Sequence, residues 1–345
     1  MTRTKITRTL ALTGLVPAGK LSNLYSSLLP MLALCMAGAA WCQPGPGFRE
    51  GRFPSNPRAG AQPAKPAPVT PANSQYRFVT IEIPGATAGC AFCDAFGIND
   101  AGLVTGQYPA GSASNGFAWQ NGILHTLDYP GAMDTYLQGV NNRGVVIGSY
   151  DNGVANTNIA VTYSFQSGTW TTLPGIPGYS ANSGYGINDF GIAVGNAWQP
   201  NGVAWTWDPS SQSYSFFAVP GSAQYTTYPG ALNDKEQVVG QYQDANGVYH
   251  GFLKEGETYT TFDPPDSTYT FAAGINNSGT IVGEWGNLSG WQEGFVRTSD
   301  GVFTVVDFPG GLETQIVGIN DRGDICGESV DPKTGQWTPF VGFKM

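Results

Sequence analysis

Glu284 and Glu328 are the pair of side chains best suited to acid–base chemistry. Each follows a recurrent glycine, Gly283 or Gly327, at a position held elsewhere in the chain by Gln107, Ser149, Asn196 and Gln241. Two acids that break an otherwise neutral repeat position would suit glycan cleavage if they converged to about 5–9 Å. The same pattern also describes a polar ring with ordinary variation and no catalysis. The chain has two histidines, His125 and His250, on different expected strands. A Ser-His-Asp triad is not expected, because no G-x-S-x-G elbow accompanies either one. No spacing of His, Cys, Asp and Glu matches the usual metal sites, so neither a metal nor another cofactor is expected. Asp100, Asp189, Asp234 and Asp321 recur at one repeat position and read as turn residues. Cys90-x-x-Cys93 reads as a short disulfide in an oxidising compartment, and Cys326, aligned with Val194, Val239 and Val282, as a core residue.

Aromatic side chains offer a binding chemistry instead. Tyr108, Tyr150, Tyr242 and Trp285 stand nine residues after a recurrent asparagine, and Tyr136, Tyr185, Tyr228 and Tyr269 fall in the segments leading to the next one. If both sets emerge on one face, they form a rim of rigid amphipathic groups suited to glycans or protein loops. Alternatively, the strand-end set packs between structural units.

The element that positions all of these is a repeat. Asn99, Asn141, Asn188, Asn233, Asn276 and Asn320 lie 42 to 47 residues apart, five of them in a Gly-Ile/Val-Asn triplet. Gly106, Gly148, Gly195, Gly240, Gly283 and Gly327 stand seven residues after each asparagine without exception. Each unit reads as four short strands. The first ends at the asparagine, Asn-Asp-x-Gly makes a hairpin, and the second is an apolar run such as Val145-Val146-Ile147. The third contains Gly116-Phe117-Ala118-Trp119 and its equivalents, and the fourth runs into Pro-Gly, as at Pro130-Gly131. Four strands per repeat of this length is a β-propeller blade. Val79–Gly85 reads as a fourth strand without a unit before it, and the chain ends on a third strand without a fourth. Pairing the two would close a ring and remove the open edges. The expected fold is all-β: a six-bladed β-propeller over residues 76–345, closed by the N-terminal strand in the last blade.

These units resemble the bacterial extracellular HAF repeat, which reads roughly GIN-x-x-G-x-x-VG, then HGF, then a strand ending in PGA. Ala231-Leu232-Asn233-Asp234 and Glu236 depart from that pattern, and His250-Gly251-Phe252 alone keeps the full HGF. The resemblance covers residues 76–345. It implies a propeller-like architecture and export, and carries no common activity with it.

Residues 1–42 have the order of a secretory signal peptide: a basic, acid-free start, the apolar run Leu24–Ala40, then small residues. Residues 43–75 hold eight prolines and read as an extended linker. Residues 1–75 take eight of the 16 Lys/Arg and one of the 25 Asp/Glu, leaving 8 against 24 in residues 76–345, a net −16. Such a surface repels nucleic acid and offers nothing to anionic lipid. The expectation is a secreted or periplasmic monomer, not inserted in a membrane once its signal is cleaved, that binds or scaffolds an extracellular polysaccharide or protein. The alternatives are a glycan hydrolase or lyase using Glu284 and Glu328, and a purely structural surface protein.

Overall fold

The computed structural model describes residues 75–83, 93–153, 157–198 and 201–345. The expected signal peptide, the linker up to residue 74 and Cys90 lie outside the described residues. The remainder forms six four-stranded antiparallel sheets, each one blade of a β-propeller. Blades one to five run from inner to outer strand in chain order over residues 94–126, 134–172, 181–217, 227–262 and 267–305. In blade six the order is Thr314–Ile319, Ile325–Val330, Trp337–Lys344 and then Tyr76–Thr80. The first described strand is thus the outer strand of the last blade, in register from Tyr76 opposite Lys344 to Thr80 opposite Phe340. Beyond the paired strand, the Ile81 amide donates to the Pro339 carbonyl at 2.9 Å.

The core is divided among the interfaces between successive blades, as six clusters of buried apolar side chains. The cluster joining blade six to blade one contains Ile81, Val341, Cys326, Ala95 and Phe117, so the closing strand also carries part of that core. Packing sheet face on sheet face in this way lets every blade bury both sides, which explains the unbroken apolar second strands.

Each inner strand carries a β-bulge at the same point, where Phe96, Gln138, Tyr185, Gly230, Ala273 or Val317 has no partner in register. The bulge explains the recurrent glycines. It presses the carbonyl of Asp94 onto Gly106, that of Tyr136 onto Gly148 and that of Gln315 onto Gly327, where a Cβ would overlap the oxygen. The glycine after the bulge lets neighbouring inner strands touch backbone to backbone: a Cβ on Gly97 would lie 2.8 Å from the Gln138 carbonyl oxygen. In blade four the order is exchanged. Ala231 occupies the glycine position, and Gly230 at the bulge makes the close approach to Ala273.

Two closed rings of hydrogen bonds join the inner turns. The Asn99 Nδ2 donates to the Asn141 carbonyl at 3.0 Å, Asn141 to Asn188 at 2.8 Å, and Asn188 to Asn233 at 3.2 Å. Asn233 continues to Asn276, Asn276 to Asn320 and Asn320 back to Asn99, each at 3.0 Å. Each of these Oδ1 atoms also accepts the amide four residues on, which holds its own hairpin. The next residue builds the second ring. The amides of Asp100, Asn142, Asp189, Asp234, Asn277 and Asp321 donate to the side-chain oxygen of the following member, at 2.7–2.9 Å, with Asp321 returning to Asp100. The turn acids are therefore staples between blades as well as turn residues.

Asn188→Ala removes a buried donor and acceptor together and should cost about 2–4 kcal/mol in chemical denaturation. Asn188→Asp, which keeps the acceptor but sets a carboxylate against the Asn233 carbonyl, should not restore the loss. Asp324 ties the last strand to this region by accepting from Asn320 Nδ2, the Lys344 amide and Arg322. Burial acts to raise its carboxyl pKa, but these hydrogen bonds and the Arg322 charge outweigh that effect and the net shift is downward. A carboxyl with a depressed folded-state pKa favours folding above its unfolded value of about 3.9 and loses that contribution as pH falls through the folded value. Asp324→Asn should therefore destabilise the protein at neutral pH and narrow its stability difference from wild type in acid, as read by denaturant midpoints against pH.

Candidate functional site

Because inner strands run toward the asparagine turns and second strands return, the loops from outer to inner strands and the ends of second strands share the opposite face, here called upper. Glu284 and Glu328 occupy matched points in the middle of the second strands of blades five and six, opposite Phe271 and Gln315. They are 8% and 4% exposed. Glu284 accepts a hydrogen bond from Gln292 Nε2. Tyr269 lies close to this group. Burial first, then the charges of Glu284 and Glu313, push its phenol well above the ordinary tyrosine value. The equivalent residues of the other blades are also buried and polar. Gln107 donates to Asp94 at 2.6 Å, Ser149 accepts from Ser183 at 2.9 Å, and Asn196 donates to the Thr227 carbonyl at 3.3 Å. The two glutamates thus belong to a buried polar belt that ties inner strands to second strands and blade to blade.

The aromatic residues divide by burial. Tyr108, Tyr136, Tyr185, Tyr228 and Trp285 are buried, whereas Tyr150, Tyr242 and Tyr269 are half-buried. Tyr108 and Tyr242 lie across their own blades, with hydroxyls bonded to Thr126 and Thr261 of the outer strands at 2.7 and 3.0 Å. Trp285 belongs to the core between blades four and five, and its buried Nε1 has no hydrogen-bond partner. Tyr150 stacks on Tyr129 from the connection between blades one and two, with centroids 3.8 Å apart and planes 3° from parallel, and Trp170 meets Tyr129 edge-on at 5.5 Å. Burial, followed by the hydrogen bond with Tyr129, raises the Tyr150 pKa. Tyr269 packs against Phe271 at 5.0 Å. Tyr225, in the loop entering blade four, is 47% exposed and holds a left-handed backbone with φ 65°.

His250 Nδ1 is 2.7 Å from Asp263 Oδ2, and its Nε2 is 3.7 Å from Asp244. The ring also sits 5.5 Å from that of Tyr242. His125 is exposed on the outer strand of blade one. Cys93 is buried and disulfide-bonded. Cys326 is fully buried with Sγ 3.8 Å from the Ala95 carbonyl, and burial pushes its thiol far above the ordinary value, as suits an inert core residue. Among the described residues, no group of three or more His, Cys, Asp and Glu is placed to hold a metal ion. Among the same residues, no helix is long and apolar enough to cross a membrane.

Reasoning from spacing alone missed the axis. Two small chambers of about 80 Å³ each lie there, and Ile98, Val140, Ile187, Leu232, Ile275 and Ile319, one from each inter-blade core, border both. The lower chamber is lined by the asparagine and aspartate rings, the upper by the bulge residues and the glycines. A visible signal existed for the lower rings: every unit has Asp or Asn after the recurrent asparagine, so each carries a side-chain oxygen acceptor at the same height. The bulge residues gave none, since they share no residue type.

No protein-family model and no curated protein matches the sequence. Solved structures similar to this chain include XC5397 from Xanthomonas campestris, described as a gluconolactonase, at 12% identity and TM-score 0.50, covering 84% of this chain and 98% of that one. The SapL1 lectin in complex with alpha methyl fucoside matches at 12% identity and TM-score 0.49, covering 74% and 93%. TolB from Acinetobacter baumannii matches at 10% identity and TM-score 0.49, covering 75% of this chain but only 65% of its own. At these identities the likeness is one of fold.

Denaturation separates packing aromatics from surface ones. Trp285→Ala should cost about 3–5 kcal/mol, and Trp285→Phe clearly less because it also removes the orphan N–H. Tyr225→Ala should stay within about 0.5 kcal/mol of wild type.

Proposed function

We propose that the protein is an exported binding propeller whose ligand is an extracellular polysaccharide or protein, held on the upper face. The observation that carries this reading is the set of aromatic side chains left half-exposed there: the stacked Tyr129–Tyr150 pair, Tyr242, Tyr269 and the exposed Tyr225. Rigid rings with a polar edge provide contact area at little conformational cost and suit the C–H faces of sugars as well as peptide loops. The hydrogen-bonded rings support it by fixing the six blades relative to one another, so that groups from different blades present one preorganised surface. The excess of acidic residues in residues 76–345 directs the choice toward neutral or cationic ligands and away from anionic polymers. The resemblance to HAF repeats and the leader-like residues 1–42 support export.

A second reading, cleavage of a glycan by Glu284 and Glu328, draws on the placement of two buried carboxylates at one height in adjacent blades, with the Tyr269 phenol beside Glu284. The two readings separate by experiment. The purified protein should be retained by some members of a panel of neutral polysaccharides in affinity electrophoresis without releasing reducing ends, and Tyr150→Ala with Tyr225→Ala should weaken retention about tenfold. Release of reducing ends that disappears in both Glu284→Gln and Glu328→Gln would establish the enzyme instead. Retention by no polysaccharide or protein partner would leave a purely structural role.

A further inference from the structure

The stacked pair Tyr129–Tyr150 has a chemistry that ligand binding does not use. Tyr129 is held by its backbone. Its amide donates to Thr135 Oγ1 at 3.0 Å, its carbonyl accepts the Ala132 amide at 3.1 Å, and the carboxylate of the preceding Asp128 accepts the Gly116 amide at 2.9 Å. Thr135 is buried on the inner strand of blade two and is the register partner of Tyr150 on the second strand. One threonine thus sets both residues side by side. The same device recurs in other blades: Thr227 Oγ1 accepts the Val219 amide and Thr314 Oγ1 the Phe308 amide, each at 3.0 Å. The register partners there are Tyr242 and Ser329. The three copies of this frame therefore carry Tyr129 with Tyr150, Val219 with Tyr242, and Phe308 with Ser329. Of these, the pair in blade two is the one in which both members are phenols.

The two rings are 3° from parallel with centroids 3.8 Å apart, and their hydroxyls share a hydrogen bond. That bond requires the rings to stack with the same end together, because opposed stacking would carry the hydroxyls apart. The carbons ortho to each hydroxyl then face one another across the stack. We propose that Tyr129 and Tyr150 form an oxidative modification site, at which a peroxidase with hydrogen peroxide joins them as a dityrosine. In a phenoxyl radical the unpaired electron is shared between the oxygen and the ortho and para carbons, in π lobes normal to the ring. Two rings face to face present those lobes to each other at contact distance. Each ring gives up one electron and its phenolic proton, and the peroxide takes both electrons and both protons and leaves as two waters. One carbon–carbon bond forms between the ortho carbons, and the hydrogen on each of those carbons moves to its oxygen, restoring both hydroxyls. The planes must then open from parallel, and both rings are half-buried, which leaves space on the solvent side. Trp170, edge-on to Tyr129 at 5.5 Å, and Tyr163, 4.9 Å from Trp170, are close enough to pass an electron, so oxidation at any of the four rings reaches the pair. The product ties the connection between blades one and two to the second strand of blade two. This site is independent of the ligand-binding reading.

Treatment of the purified protein with a haem peroxidase and hydrogen peroxide, followed by separation by size, tests the assignment. The monomer fraction should gain dityrosine fluorescence and lose two hydrogens in intact mass. The extent should be the same across serial dilutions of the protein, as an intramolecular bond requires. Trypsin cuts at Arg143, between the two tyrosines, so the bond should appear as a joined pair of peptides whose fragmentation places it at Tyr129 and Tyr150. Tyr129→Phe and Tyr150→Phe each keep a ring in the stack but remove the phenol, so both variants should fold as wild type does and lose the joined peptides. Tyr259→Phe, a half-buried position on the outer strand of blade four, should keep them. If the wild-type monomer gains no dityrosine, if its bond maps to other tyrosines, or if both Phe variants still yield the joined peptides, the assignment is wrong. Cross-links found only in dimers and rising with protein concentration overturn it equally.

Discussion

The arrangement depends on a circular relay of asparagines. Each asparagine side chain accepts an amide of its own hairpin and donates to the carbonyl of the next blade's asparagine, and the sixth returns to the first. In a ring of separate sheets, apolar packing alone sets the spacing of neighbours only loosely, because it is non-directional. A buried amide with one acceptor and one donor committed in opposite directions fixes both height and angle. The second ring, from backbone amide to Asp or Asn side chain, repeats the constraint one residue further out. Breaking one link leaves a buried polar group without a partner, so the cost exceeds the modest net value of one hydrogen bond.

The glycines follow from that constraint. Pulling six inner strands against one another at the axis leaves no room for a Cβ beyond the bulge, and the bulge drives a carbonyl against the second strand, where again only glycine fits. The exchange of glycine and alanine at Gly230-Ala231 shows that the requirement is steric and local: what must be preserved is one close approach per blade, at either of two adjacent residues. The bulge also leaves one residue per blade beside the axis free of the pairing that governs its neighbours. A frame fixed by repeated residues thereby presents six positions that are free to differ. This is the usual division of labour between a rigid scaffold and the variable groups placed on it.

Much of the frame could be read from the residues. The spacing of the asparagines, the glycine seven residues later and the two incomplete ends specify six blades and the strand that closes them, and the register of Thr80 with Phe340 is the one that closure requires. The aromatic residues were legible in type and in the face they share, but not in orientation. Tyr108 and Tyr242 differ in exposure although both bond a threonine of their outer strands, and Trp285 turns fully into the core. Period and spacing specify where a side chain starts, whereas its rotamer is settled by neighbours on other strands, which for Tyr108 and Tyr242 belong to the same blade. The glutamate pair shows the same limit: the break in the repeat was visible, but the buried belt linking Gln107 to Asp94 and Ser149 to Ser183 was not.

The residues by themselves determined the strand count, the blade boundaries, the closure and the need for glycine at fixed intervals, because these follow from local turn chemistry and from a period repeated six times. Tertiary structure alone decided that the asparagines and aspartates close into rings, that the bulge residues gather around the axis, and which aromatic groups reach solvent. The rings join residues 42 to 47 positions apart and, between Asn320 and Asn99, 221. They depend on the angle between neighbouring blades, a quantity set by six cores acting together and encoded in no single segment of the chain.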